Sequence, residues 1–285
     1  MRVARSGQWP PTPEALPAPI VDNHCHLEYP AGDGSEGAAP RSVEDRLAEA
    51  SAAGVTRVVQ IGCDVESARW TADAVARFPS MLGGVALHPN DAATLAAAGE
   101  YDDAFAEIAS LARGERIRVV GETGLDFFRT GPEGHAAQIA AFRDHIALAK
   151  ELGKPLQIHD REAHAEVIDV LLRDGAPEAT VFHCFSGDAA MARLAAHQGW
   201  YLSFAGTVTF KNAHPLRAAA AVTPLSQMLV ETDAPFLTPH PHRGAPNGPA
   251  QAARTARELA RVLDVPLVDL CTTVWETSHR LYGPW

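Results

Sequence analysis

Six side chains able to hold metal stand at the ends of apolar runs. They are His24 and His26 in VDNHCHLE, Glu122 in VVGETGLD, His159 in LQIHD, His183 in VFHCFSG and Asp233 in LVETDAPFL. Each adjoins a polar or Gly-containing loop. Four imidazoles and two carboxylates from five separate segments can surround two divalent cations. A folded core has no need of such a set, so the chemistry it points to is metal-assisted hydrolysis. Mixed N/O ligation without thiolate suits Zn²⁺, Mn²⁺, Co²⁺ or Mg²⁺ alike, and the choice among them stays open.

Such residues work only if the fold gathers them. Apolar, β-branched runs recur at Ile20–Val21, Val55–Ile61, Leu82–Leu87, Ile117–Gly121, Leu156–Ile158, Thr180–Phe182, Tyr201–Phe204 and Met228–Val230. Ala-rich amphipathic stretches lie between them, including Val43–Ala53, Ser67–Phe78, Gln138–Leu152, Glu162–Arg173 and Ala189–Gln198. Two more, Ala250–Leu263 and Leu267–Leu281, close the chain. Short buried strands interleaved with helices predict an α/β protein, a (β/α)8 TIM-like barrel. An open doubly wound sheet fits less well, because DNHCH stands where a Gly-rich phosphate loop would follow the first strand. Residues 1–19 hold five prolines and little apolar pattern, and read as an extended arm before a single barrel domain over 20–285. The Gly-rich stretch 29–41 would form a loop over the barrel mouth, as a lid or as surface slack.

Spacing then assigns roles. His24 and His26, two apart on a strand, project to one face at its carboxyl end, where barrels keep their chemistry. Glu122, His159, His183 and Asp233 occupy the same place after the fourth, fifth, sixth and eighth strands. One cation would be held by His24, His26 and Asp233, a second by His159 and His183, with Glu122 bridging them. Open positions remain for water and substrate, as a catalytic site requires. Cys25 and Cys184 adjoin ligands but, by strand alternation, should pack away from the metals.

Bulk properties narrow the partners. The chain has 285 residues, 46% hydrophobic and 21% charged, with a formal charge of −11. So acidic a protein is a poor candidate for coating long nucleic acid, which calls for a basic face. Four scattered cysteines read as reduced thiols. With no signal-peptide core and no 18-residue apolar stretch, the cytoplasm is the expected location, with no membrane and no obligate protein partner.

The segments DNHCHLE, GVALHPNDA, GETGLDFF, IHDREA, HCFSG, SFAGTVTFKNA and LVETDAPFLTPHPHRG follow one another in order. In this the chain resembles the TatD family of metal-dependent deoxyribonucleases in the amidohydrolase superfamily, over about residues 20–282. The resemblance implies a TIM-like barrel, two divalent metals, phosphodiester hydrolysis of DNA (often from the 3′ end), and the six ligands named above. It departs in the proline-rich arm and in PNGP at 246–249, where Gly248 stands for a common Glu. It also implies that Asp233 takes a proton from the attacking water, making Asp233 and Glu122 the catalytic pair.

Around that centre, Arg161, Lys211 and Arg243 are candidate phosphate neutralisers, and His88 a candidate substrate contact. Asp126 would orient a ligand, touch substrate or cap its loop. The leading function is hydrolysis of DNA ends or short single strands. A second keeps the barrel and metals but cleaves another ester or amide, such as an aminoacyl ester or lactone. None of Lys150, Lys154 and Lys211 is placed on the fourth strand for the carboxylated-lysine bridge of several superfamily relatives, which weakens that branch. A third, a non-catalytic metal-binding barrel, would call for a broken ligand set.

Overall fold

The apolar runs become strands that are buried along most of their length, as expected for a parallel sheet covered by helices. The structure, a computed structural model, describes residues 7–29 and 38–285. Among these, the order is β1 (Ile20–Cys25), α1 (Val43–Ala52), β2 (Val55–Gly62), α2 (Val65–Arg77), β3 (Met81–Val85), α3 (Pro89–Ala98), α4 (Tyr101–Leu111) and β4 (Ile117–Asp126). There follow α5 (Pro132–Leu152), β5 (Leu156–Arg161), α6 (His164–Asp174), β6 (Thr180–Phe182), α7 (Ala189–His197), β7 (Tyr201–Phe204), α8 (His214–Val222), β8 (Met228–Val230), α9 (Ala252–Leu263) and α10 (Leu267–Tyr282). The strands form one eight-stranded sheet in sequence order, and a parallel bridge from Cys25 to Ala234 joins the first strand to the segment after the last. The fold is a (β/α)8 TIM-like barrel.

Two units make up the chain. One comprises residues up to Gln60 with Gly187–Arg280, and the other Ile61–Ser186 with Leu281–Trp285. In the first, β1 pairs with β2 and β7 with β8, all parallel. In the second, β3, β4, β5 and β6 pair in succession.

Local sequence explains the element ends. Asp64 and Ser67 form a capping box at the start of α2. Pro132 opens α5, and Gly153 closes it in the left-handed conformation. Gly124 is needed for a different reason. A Cβ there would meet the His159 carbonyl oxygen at 2.1 Å, and its φ of +137° disfavours other residues. Only glycine lets β4 run this close to the strand that carries His159.

Four strands differ from the sequence expectation by more than one residue, β5 among them, which runs on to Arg161 instead of ending at Ile158. β1 continues through Cys25, since the Asn23 amide donates to the Val21 and Val230 carbonyls and so satisfies a polar group within a buried strand. β4 runs on to Asp126, with a register irregularity between Val120 and Thr123. β3 ends at Val85 rather than Leu87, although the Ala86 and His88 N–H groups still donate to the Gly62 and Cys63 carbonyls. The described part of the proline-rich arm has no strand or helix before Ile20. It lies against its own unit: α9 donates from Arg254 to the Pro11 carbonyl and from Arg257 to those of Glu14 and Ala15. The expected lid at 29–41 falls largely outside the described residues.

Candidate metal centre

In the first unit, His24 lies within β1 and His26 one residue past its end, so both imidazoles leave on the same face. Their Nε2 atoms are 3.2 Å apart. Asp233 Oδ1 lies 3.5 Å from His26 Nε2 and 3.9 Å from His24 Nε2. Tetrahedral ligands about 2.1 Å from a zinc ion lie about 3.4 Å from one another, so these three donors fit one divalent cation.

The loop after β8 is built to hold Asp233 there. Asp233 takes a left-handed φ of 53°, a conformation that Asp tolerates better than most residues. Its N–H donates to the His24 carbonyl at 2.9 Å, and the His26 N–H donates to the Ala234 carbonyl at 2.6 Å. One residue earlier, Thr232 donates its N–H and hydroxyl to the buried Asp22 carboxylate at 2.8 and 2.6 Å. Burial pushes the Asp22 carboxyl up to about 8, against the lowering effect of those bonds. The Asn247 amide donates to the Thr232 and Phe236 carbonyls, fixing the far side of the loop. At Gly248 a Cβ would meet Trp9 of the arm at 3.5 Å, an ordinary contact, so space does not explain the glycine.

In the second unit the centre is Glu122, buried in β4. Its Oε1 lies 2.5 Å from His159 Nδ1, 2.8 Å from His183 Nε2 and 3.7 Å from His88 Nε2. Burial by itself would raise the Glu122 carboxyl, but His183 and His159 outweigh it and hold the group well below its usual range. Conversely, burial lowers His159, and the carboxylates of Glu122 and Asp126 more than restore it, leaving the imidazole raised. His159 extends from β5, and His183 follows the end of β6 by one residue. Because β6 stops at Phe182, the alternation argument for Cys184 does not reach it. Cys184 instead takes a left-handed φ of 41°. Cys25, on β1, is buried, with its thiol 3.5 Å from the Val59 carbonyl.

Asp126 does two of the things expected of it. Its Oδ2 contacts His159 Nε2 at 3.3 Å, while its Oδ1 accepts from the Phe128 and Arg129 N–H groups at 3.1 and 2.9 Å. It therefore orients a histidine and caps the loop after β4. These contacts, with that from Asn90, hold its carboxyl low in spite of burial. His88 caps α3, its Nδ1 accepting from the Asn90 N–H at 3.2 Å, and its ring meets that of His159 edge-on at 4.5 Å. Burial pulls the His88 imidazole down to about 4. His88, Asp126 and His159 also place ligand atoms close enough to share an ion.

The cationic candidates are not part of these groups. Arg161 lies over the exposed ring of Phe128 at 4.0 Å, and Arg243 over Phe210 at 4.3 Å. Lys211 is exposed just beyond the short 3-10 turn after β7. Sequence reasoning passed over Cys63, whose thiol lies 3.5 Å from Glu122 Oε2, and Asn90, whose amide donates to Asp126 at 3.2 Å. A polar residue directly after an apolar run, as in IGCD, was the available signal for the first.

Comparison with known proteins agrees with this chemistry. A family model described as TatD related DNase matches residues 21–283. The uncharacterized metal-dependent hydrolase TatD of Mycobacterium tuberculosis is 44% identical over 269 residues, 93% of this chain and 98% of the relative. The uncharacterized metal-dependent hydrolase YcfH of Escherichia coli is 34% identical over 92% of this chain and 95% of its own length. The crystal structure of YjjV, a TatD homologue from E. coli, superposes with a TM-score of 0.81 at 26% identity, covering 93% of this chain and 98% of that one. With donor groups of this kind at the carboxyl ends of its strands, the chain belongs to the TatD-related DNase family of metal-dependent hydrolases.

Proposed function

We propose that the protein hydrolyses phosphodiester bonds of DNA, acting on ends or short single strands, with two divalent cations. The observation that carries this reading is the donor set. His24, His26 and Asp233 gather at the ends of β1 and β8, and Glu122 lies against His159 and His183 on β4 to β6. His24, His26 and Asp233 would hold one cation, and Glu122, His159 and His183 would hold the second. Bound there, the cations would acidify a water and offset charge on the phosphoryl oxygens.

The chain's own residues do the rest. Asp233 is the half-buried carboxylate beside His24 and His26, and it would receive the proton of the attacking water. Asp126 holds His159 in a single orientation. Arg161, Lys211 and Arg243 would neutralise substrate phosphates from outside the two donor groups. An enzyme that grips one terminal phosphate does not require the basic face that tracking along a duplex would demand.

The test is incubation of metal-loaded protein with end-labelled single-stranded DNA, with tRNA and with a generic ester, each with and without chelator. Chelator-sensitive shortening of the DNA from one end supports the reading. Ester cleavage with inert DNA moves the activity to another substrate, and silence on all three with metal bound makes the barrel a binding protein. Glu122→Ala should abolish turnover and lower metal content. Full activity with both ions retained would remove Glu122 from the ligand set.

A further inference from the structure

Among the described residues, five large hydrophobic side chains are strongly exposed, and two of them meet beside a proposed metal ligand. Tyr29 is 45% exposed and Phe236 39%, whereas His26 is only 4% exposed. The three rings form a triangle, with centroids 6.5 Å apart for His26–Tyr29, 6.1 Å for His26–Phe236 and 6.4 Å for Tyr29–Phe236. Each pair is tilted by 62–66°, so edges meet faces and the outer parts of both exposed rings stay in solvent.

Both rings are held in place by the backbone that places the ligands. Tyr29 follows His26 by three residues, and its carbonyl accepts from the Arg46 guanidinium at 2.9 Å. Phe236 follows Asp233 by three residues, its N–H donating to the Asp233 carbonyl at 2.8 Å and its carbonyl accepting from Asn247 at 2.5 Å. Large aromatic rings kept wet on anchored loops have an unfavourable hydration that a flat apolar ligand would relieve.

We propose that Tyr29 and Phe236 form a stacking platform for one unpaired nucleobase of the strand whose phosphate enters the metal centre. This rests on the phosphodiesterase reading given above. Every base has a π-face, so such a platform is tolerant of sequence, yet it needs the base free of its duplex partner. It also suits the charge of the chain. A protein with a net charge of −11 gains little from long-range attraction of a polyanion, and base stacking provides affinity that does not depend on a basic groove. The outcome is a preference for single-stranded or frayed ends.

The experiment uses full-length metal-loaded protein and a short DNA strand bearing 2-aminopurine at its end, joined through a non-hydrolysable methylenephosphonate linkage. Stacking quenches the 2-aminopurine fluorescence, so binding and contact are read together. The wild type should quench, and Tyr29→Ala and Phe236→Ala should each weaken binding by about five- to 150-fold, the range for one base on one aromatic side chain. Tyr29→Phe should bind as the wild type does. Phe236→Leu, which keeps apolar bulk and guards against misfolding as the explanation, should lose the quenching. In a parallel assay on cleavable strands, the alanine variants should lose the wild type's lower KM for an end nucleotide with a base over one without.

Unchanged affinity and quenching in the alanine variants would overturn the platform, even if DNA is cleaved. A change of oligomeric state in those variants with strand binding intact would likewise assign the rings to a protein contact and overturn it. Quenching by the wild type that is lost in the variants supports the platform even where cleavable DNA stays whole, in which case only the phosphodiesterase reading falls.

Discussion

The Asp126 carboxylate meets His159 on the ring nitrogen opposite the one that faces Glu122, at 3.3 Å. A histidine contacted at both nitrogens has its tautomer and ring plane set by those neighbours. Replacing Asp126 with Asn removes the charge and keeps the shape. We expect metal affinity or turnover to fall about 10- to 100-fold, with the loss seen as lower metal content after dialysis against a weak chelator. An Asp126→Asn protein that retains metal and turnover as the wild type does would reduce Asp126 to a loop cap.

Gly124 gives a prediction about stability. A Cβ at this position has no room against the His159 carbonyl, and the backbone angle is one that L-residues avoid. Gly124→Ala should cost at least about 2 kcal/mol, measured as a lower midpoint in urea, and should lower metal retention at the same time because β5 must move. If the variant unfolds at the wild-type midpoint, the strand spacing is not set here.

His145 makes part of the stability depend on pH. It is fully buried on α5, its Nε2 accepting from the Leu87 N–H at 3.1 Å and its Nδ1 donating to the Ala141 carbonyl at 2.7 Å. Burial lowers its imidazole from 6.5 to about 4. The unfolded chain therefore binds the proton more readily, and stability is full above about pH 6.5 and lost as pH falls toward 4. The contribution is on the order of 3 kcal/mol. Unfolding midpoints across that window should slope for the wild type and flatten for His145→Gln.

Arg161 concerns substrate rather than fold. Its guanidinium is held over the Phe128 ring and makes a planar donor face available to a phosphate. Arg161→Ala should raise KM for a strand with a terminal phosphate about tenfold, and Arg161→Lys should not restore it, since an ammonium neither stacks nor forks. Equal KM values for Arg and Lys would reassign the residue to simple charge.

Much of this was readable in the residues because the fold repeats one grammar. Each of His24, His159 and Asp233 follows an apolar run, and a barrel places the ends of its strands on one side. The lengths of β1 and β4 were not readable, since their polar residues break the apolar pattern while the partners that satisfy them lie far along the chain. Asn23, for example, is bonded to the Val230 carbonyl. The helices α3 and α4 were also missed: α3 is a run of small residues with little contrast between its faces. The pairing of Asp126 with His159 spans 33 residues and two strands, and only their register brings them together. His145 is the opposite case. It sits on a helix, and its bonds to backbone groups give it a packing role.

The arm before β1 is tethered through its own peptide oxygens, at Pro11, Glu14 and Ala15, by arginines that belong to α9. A peptide oxygen is the same whatever side chain accompanies it. At Pro11, Glu14 and Ala15 the side chain can therefore vary without loosening these bonds, whereas Trp9, Thr12 and Leu16 are fixed through their own side chains or their burial. Among descendants of this gene, change should gather at Glu14 and Ala15 and spare Trp9, Leu16 and the two helix arginines.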